Sequence, residues 1–446
     1  MKLFLSILFL LVIYICEAQN TMYFMDGLPQ SIAFNPAIMP KMDFFIGLPG
    51  IGGVNTQLYN SGFNYNELED FSNKLDNENY NPDEFVNSIG DYNLFTGEAS
   101  VNLASFGFKL KESGFLSFSL AMNSLLINKS SSDIAYLLTD LDDISEKDFP
   151  IEIDGISLKG NAYMNFGITY SRKINEHLTL GITPRINFNM AGISTSDISF
   201  KVEKEETSVD DNNESDYSQT LSGEVFLGLP TKINPKAVDN GELIFDEGLL
   251  PENWTDDNSL SRMMKDKSLM VDIGATYEFE KWTFSASILN IGSSVYKTDG
   301  YFLSGNNDKV LVSSSEKVKI SIPTKLYIGA MRQFSPKWNY ALLFNNNFYS
   351  SGSVATATAS LNGYIGRALS TSVSYTAGYK FNNLGIGLRI RFLPGSDLYF
   401  VTDNIIQAFN YKNAYRLTAA LGINIAIGVK DKQYFTNVIP IDSTEK

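Results

Sequence analysis

The stretch YRLTAALGINIAI, residues 415–427, alternates without a slip. Tyr415, Leu417, Ala419, Leu421, Ile423, Ile425 and Ile427 share one face, and Arg416, Thr418, Ala420, Gly422, Asn424 and Ala426 share the other. Side chains alternate across a β-strand, so this is one strand with an apolar face and a small or polar face. Strands of soluble domains centre on ~5–6 residues, whereas a tilted strand that crosses a bilayer needs ~9–11. The stretch is long enough to cross.

The same pattern recurs through the chain. Leu384, Ile386, Leu388, Ile390 and Phe392 interleave with Gly385, Gly387, Arg389 and Arg391. Val271, Ile273, Ala275, Tyr277 and Phe279 interleave with Asp272, Gly274, Thr276 and Glu278. Residues 116–122, 162–170, 178–188, 282–288, 340–348 and 369–381 follow the same rule. Short polar turns such as Glu280-Lys281, Asn382-Asn383 and the run from Lys173 to His177 separate neighbouring runs. That is the hairpin signature, and it predicts an all-β fold of about 14 long antiparallel strands. A soluble sandwich would carry charge on its outer faces. Here the second face is mostly Gly, Ala, Ser, Thr and Asn, while the apolar face ends in Tyr, Phe or Trp. Apolar faces toward lipid and small or polar faces toward a lumen predict a transmembrane β-barrel.

Met1–Ala18 reads as a signal peptide. Lys2 precedes an apolar run from Leu3 to Ile15, and Cys16-Glu17-Ala18 offers small residues for cleavage before Gln19. Ile13 and Ile15 are too bulky for an acylated Cys16. Cys16 is the one cysteine, so the exported chain would hold no disulfide. Residues 19–60 read as a plug-like segment with the first strand: four prolines and many apolar side chains suit a lumen better than an exposed tail. Its candidate plug residues are Asn35, Pro36, Gly50, Gly52 and Gly53. Residues 61–428 form the barrel, with short amphipathic helices expected in the connections 66–93 and 131–149 and loops at 203–216 and 234–266. Residues 429–446 are a C-terminal tail.

The formal charge of −15 speaks against a nucleic-acid partner, whose phosphates call for a basic surface. His177 is the one histidine and sits at a turn, so a Ser-His-Asp triad has little to be built on. No Cys or His cluster has metal spacing, and Asp210-Asp211-Asn212-Asn213-Glu214 lacks the glycine of a calcium loop. No enzyme, no metal and no cofactor are expected. If the apolar faces meet lipid, Arg185, Asp272, Glu278, Arg389, Arg391, Arg416 and Asn424 face the lumen. These arginines could attract an anionic solute, or pair internally with Asp272, Glu278 and the plug.

Several segments together resemble an uncharacterised outer-membrane β-barrel family of Bacteroidetes, a domain of unknown function. They are Val271-Asp272-Ile273-Gly274-Ala275-Thr276-Tyr277, Ser285-Ala286-Ser287-Ile288-Leu289-Asn290-Ile291-Gly292, the run from Asp397 to Asn404, Gly422-Ile423-Asn424 and Asn35-Pro36-Ala37. The chain departs at Asn290, where that family often has Asp. The family is related in architecture to FadL-type transporters of hydrophobic solutes, and shares the Asn-Pro-Ala element with barrels of gliding and type IX secretion machinery. The resemblance implies a Gram-negative outer-membrane barrel. It would be a passive channel or carrier for hydrophobic or amphipathic small molecules, or a non-transporting scaffold of an envelope complex. Expected partners are outer-membrane lipid, a hydrophobic small-molecule ligand and envelope-complex proteins.

Overall fold

The computed structural model describes residues 19–25, 27–48, 52–74, 83–111, 113–138, 150–204, 217–228, 235–237, 243–245, 265–296, 300–306, 309–314, 318–365, 368–393 and 395–428. The signal-peptide segment, Gly50, the calcium-like run 210–214 and the C-terminal tail lie outside them.

The wall strand β1 comes in two pieces, Phe44–Gly47 and Val54–Asn60. It is followed by β2 (Tyr92–Leu110), β3 (Gly114–Ser131), β4 (Ile151–Lys173) and β5 (Leu178–Lys204). Then come β6 (Lys267–Phe279), β7 (Trp282–Gly292), β8 (Thr324–Ser335), β9 (Trp338–Tyr349) and β10 (Gly352–Ile365). The last four are β11 (Leu369–Gly378), β12 (Phe381–Leu393), β13 (Ser396–Thr402) and β14 (Arg416–Ile427). Each pairs antiparallel with the next in sequence. β14 then pairs with both pieces of β1, Ile427 opposite Phe44 and Leu421 opposite Val54. The ring of fourteen is closed and leaves no open edge, as a lipid-embedded sheet requires.

Burial is inverted relative to a water-soluble protein. Along β14, Arg416, Thr418, Gly422 and Asn424 are buried while Leu421, Ile425 and Ile427 are exposed. Along β9, Asn339, Asn345 and Asn347 point in and Tyr340, Leu342, Phe344 and Phe348 point out. Leu269 is 75% exposed and Leu342 is 62% exposed, yet Asp272 and Asn424 are fully buried. Only an apolar solvent makes that distribution favourable. Aromatics ring the short-turn end: Trp282 stacks on Phe284 (5.9 Å), Tyr340 lies on Phe334 (6.0 Å), and Arg332 sits 5.5 Å over Trp282. Such belts belong at a membrane–water boundary. We predict that Leu342→Arg, at mid-strand on this face, costs about 2–4 kcal/mol in lipid vesicles. Reversible denaturant unfolding measures it, and an unchanged midpoint would place Leu342 away from lipid.

The two ends of the barrel differ. At one end the wall strands join by tight turns, such as those at residues 174–177 and 280–281. At the other end lie most of the long connections. One carries the helices α1 (Tyr65–Lys74) and α2 (Asp83–Ile89), whose Phe71, Phe85 and Ile89 bury against Ala135. Lys412 holds α1 through Glu69 at 2.8 Å, and that hydrogen bond raises the Lys412 pKa above its ordinary value. β4 and β5, with 23 and 27 residues, run on past the wall into a fin that includes Tyr217–Gly228 and Gly300–Asn306. Among the described residues no helix is long and apolar enough to cross a membrane.

Candidate functional site

Residues 19–42 fill the short-turn half of the lumen. They form one helical turn (Gln19–Met22), a 3-10 turn (Pro29–Ala33) and irregular chain, with Met22, Tyr23, Met25, Leu28 and Asn35 nearly inaccessible. Turn bonds such as Tyr23 N–H to the Gln19 carbonyl and Ile38 N–H to that of Asn35 satisfy part of this backbone, and the wall supplies further partners. Asp403 accepts from the Thr21 backbone N–H (2.8 Å) and the Thr21 hydroxyl (2.6 Å). Ser171 Oγ donates to the Pro36 carbonyl (2.5 Å), and Ser287 Oγ donates to that of Phe34 (2.6 Å). Asn35 is the hub. Its Nδ2 donates to Tyr23 Oη (3.1 Å) and to the Ala275 carbonyl (3.3 Å), while its Oδ1 accepts from the Ala37 N–H (2.9 Å).

Inner-wall glycines make this fit possible. A Cβ at Gly181 would overlap the Pro36 backbone, one at Gly274 would overlap Asn35 Oδ1, and one at Gly329 would overlap the Phe24 ring. Gly385 and Gly387 face Thr21 and Met25 in the same way. The space left by Gly385 and Gly387 is therefore taken by the plug. Gly422 faces Tyr399 and the carbonyl of Gly52. The break in β1 between Gly47 and Val54 is anchored there: Gln30 Nε2 donates to the Gly52 carbonyl (2.8 Å), and the backbone N–H of Asn102 donates to that of Gly53 (2.7 Å).

Three of the four inward arginines reach a carboxylate. Arg185 Nε lies 2.5 Å from Asp272, whose other oxygen accepts from the Asn290 backbone N–H (2.7 Å). Asn290 has φ +59°, a conformation that Asn and Asp tolerate better than other side chains, which accounts for either residue at this position. Arg389 lies 2.5 Å and Arg391 3.5 Å from the single carboxylate of Asp397. Arg416 donates to Gln57 Oε1 (2.7 Å) and lies 5.6 Å over the Phe381 ring. Asn424 and Gln30 exchange amide bonds, 2.6 and 3.0 Å long. Glu278 departs from the expected network. It lies on the inner face of β6 but at the mouth, exposed, and Asp397 is the acid that joins the arginines. Alternation along β6 assigns a face and carries no information on depth.

One pair was not anticipated. Lys325 on β8 reaches Glu98 on β2 at 2.5 Å, and Tyr349 of β9 donates to the same carboxylate (2.8 Å). β2 and β8 are six strands apart around the ring, so this bridge spans the lumen. Above it Tyr59, Leu94, Ile127, Val354 and Phe381 form an apolar cluster drawn from opposite walls. Two cavities among the described residues border the plug. One, of about 200 Å³, lies between the plug and the walls around β2–β4; the other, of about 570 Å³, opens at the short-turn mouth beside Met39, Lys41 and Glu278.

His177 is exposed at the β4–β5 turn, with Nδ1 2.8 Å from the Glu278 carbonyl. Among the described residues no group of three or more His, Cys, Asp or Glu side chains could hold a metal ion.

Among solved structures the fold is similar to the Pseudomonas putida toluene transporter TodX, with 10% identity, 92% of this chain and 97% of that one covered, and a TM-score of 0.41. It is similar to the Ralstonia pickettii toluene transporter TbuX (9% identity, 93% and 100% covered, TM-score 0.41). A Pseudomonas aeruginosa FadL homologue gives 9% identity, 93% and 99% coverage and a TM-score of 0.43. At these scores the barrel rests on its own closed strand ring and inverted burial. No curated protein matches the chain. A family model does match, over residues 36–314 and 307–403, which takes in Asn35's neighbour Pro36, the paired arginines of β5 and β12, and Asp403. With most of its length so matched, the protein belongs to the family of unknown function DUF5723.

Proposed function

We propose that the protein is an exported outer-membrane barrel of a Gram-negative bacterium, through which amphipathic small molecules pass when the N-terminal plug shifts. The observation that carries this reading is the plug's attachment. It is held to the wall by hydrogen bonds, close glycine contacts and apolar packing of Met22, Met25, Leu28 and Ile32, all of them side-chain or turn contacts, with a cavity on either side. None of these contacts belongs to the strand ladder, so the segment can shift, exchanging its polar bonds for water, without breaking the ring. Both cavities have mixed linings: Met22, Ile32 and Phe34 face Asn and Ser side chains in one, and Met39 and Met42 lie beside Lys41 and Glu278 in the other. Mixed linings suit a molecule with an apolar and a polar part better than a pure hydrocarbon.

Vesicles carrying the purified protein should take up a short-chain fluorescent amphiphile faster than empty vesicles. A chain lacking residues 19–42 should do so faster still. Equal rates in all three would refute the transport reading. The second reading is a scaffold of an envelope complex, favoured by the fin that carries Tyr217–Gly228 beyond the wall. Affinity capture that recovers a partner from intact cells, and loses it when the fin is shortened, would support that reading instead.

A further inference from the structure

The cavity of about 570 Å³ opens at the short-turn mouth, and Ile38, Met39, Met42 and Met331 are among the residues that line it. Ile38, Met39 and Met331 are only half-buried, so part of their apolar surface stays accessible at a mouth that meets water. Concave surface with apolar side chains among a few polar ones is where binding concentrates.

The last wall strand ends at this same mouth. Ile427 of β14 pairs with Phe44 of β1. The next residue, Gly428, turns the chain at φ +76°, a conformation that glycine adopts at little cost. A Cβ at Gly428 would overlap the side chain of Asp43, and Asp43 lines the cavity. The chain beyond Gly428 therefore leaves the wall from the cavity rim.

That chain runs from Val429 to Lys446, and its apolar residues are grouped as Tyr434-Phe435 and Val438-Ile439-Pro440-Ile441. Six residues of extended chain, at ~3.3 Å each, carry Tyr434 about 20 Å from Gly428. A ring of fourteen strands, ~4.8 Å apart and tilted ~40°, has a radius of roughly 14 Å. Tyr434 and Phe435 reach the middle of the mouth with length to spare. Size agrees as well. An apolar cavity of about 150 Å³ takes benzene, so one of about 570 Å³ takes two aromatic side chains with their neighbours. Tethering then favours this segment over any free partner. A short flexible link holds it at an effective concentration in the millimolar range, so modest complementarity is enough.

We propose that the C-terminal segment from Tyr434 to Ile441 docks into the mouth cavity, with Tyr434 and Phe435 packed on Met39 and Met42, and covers the plug at the short-turn end. The inference goes beyond the solute route and holds whether or not a molecule passes.

The test uses the full chain in lipid nanodiscs, where both mouths are open to water. Cys16 is the one cysteine of the sequence, so in the exported protein engineered cysteines report alone. Under mild oxidation Met39→Cys with Phe435→Cys should form a disulfide within one chain. Phe334→Cys with Phe435→Cys should not, because Phe334 stands at the same end but on the lipid face, 52% exposed. Labelling of Met39→Cys by a water-soluble maleimide should speed up about tenfold when Tyr434→Ser and Phe435→Ser are added, the effect of losing a docked aromatic pair. Boiled and unboiled gel mobilities report folding. If Met39→Cys does not fold, Lys41→Cys at the same cavity gives both readings. Equal cross-linking to the cavity and to Phe334→Cys, or a labelling rate indifferent to the tail substitutions, overturns the proposal. A disulfide that joins two chains overturns it too, since it puts a neighbour's tail in the cavity.

Discussion

Asp403→Ala should turn a closed barrel into one that opens often in a planar bilayer. Asp403 is fully buried and is the charged contact of the plug's first turn. It accepts two short bonds from Thr21 and a longer one from the Asn20 N–H at 3.4 Å. Hydrogen bonds to a charged group contribute about 1.5–3 kcal/mol each. Losing the two short ones shifts plug docking by on the order of 3 kcal/mol or more, roughly a hundredfold in population. The wall should survive, because Asp403 lies just past β13 and its side chain makes no ladder bond. The expected result is frequent large conductance steps with unchanged heat-dependent gel mobility. The chain lacking residues 19–42 sets the upper limit. Wild-type conductance in Asp403→Ala would show that Thr21 is not what keeps the plug seated.

The second large effect is expected at Asp397. One carboxylate, 1% exposed on its side chain, serves two guanidinium groups. Asp397→Asn keeps the shape and removes the charge, leaving Arg389 and Arg391 close together in a buried place. Breaking a buried pair from one side costs about 3–5 kcal/mol. The unfolding midpoint in vesicles should fall accordingly. The double variant Arg389→Met with Asp397→Leu should recover part of the loss, since it removes the more deeply buried of the two guanidinium charges and leaves only Arg391, which is partly exposed. A single variant within about 1 kcal/mol of wild type would mean the group is hydrated and behaves like a surface pair. The plug should also loosen, because Gly27, at φ +82°, turns the chain directly over the Arg389 guanidinium where a Cβ would overlap it.

The wall was legible in the sequence because a period of two is a local property. Each strand states its own faces, and the run from Tyr415 to Ile427 stated them without a register. Inward residues on neighbouring strands follow from the same alternation, which sets Arg185 and Asp272 on one side. Depth was not legible, which is why Glu278 reads as a luminal acid and lies at the mouth. Asp397 and Asp403 stood in a quoted run, yet their importance depends on register with β12 and on where the plug sits. The Glu98–Lys325 bridge was invisible for a different reason. Its partners are 227 residues apart and belong to strands that never touch. The glycines fall between these cases. Gly385 and Gly387 stand in the alternation as inner-wall positions without side chains, and only the path of residues 19–42 says what lies against them.

The closing seam bears on how such a barrel is made. β14 meets β1, so Phe44 pairs with Ile427 across almost the whole chain. Contacts this distant in sequence close slowly, since the entropy of a very long loop is lost before any ladder bond is gained. The plug immediately precedes β1 in the chain and lies inside the ring that β1 completes. If residues 19–42 have found Asp403, Ser171 and Ser287 before the seam zips, the wall is drawn around them. A plug that docks late would be locked outside a finished barrel.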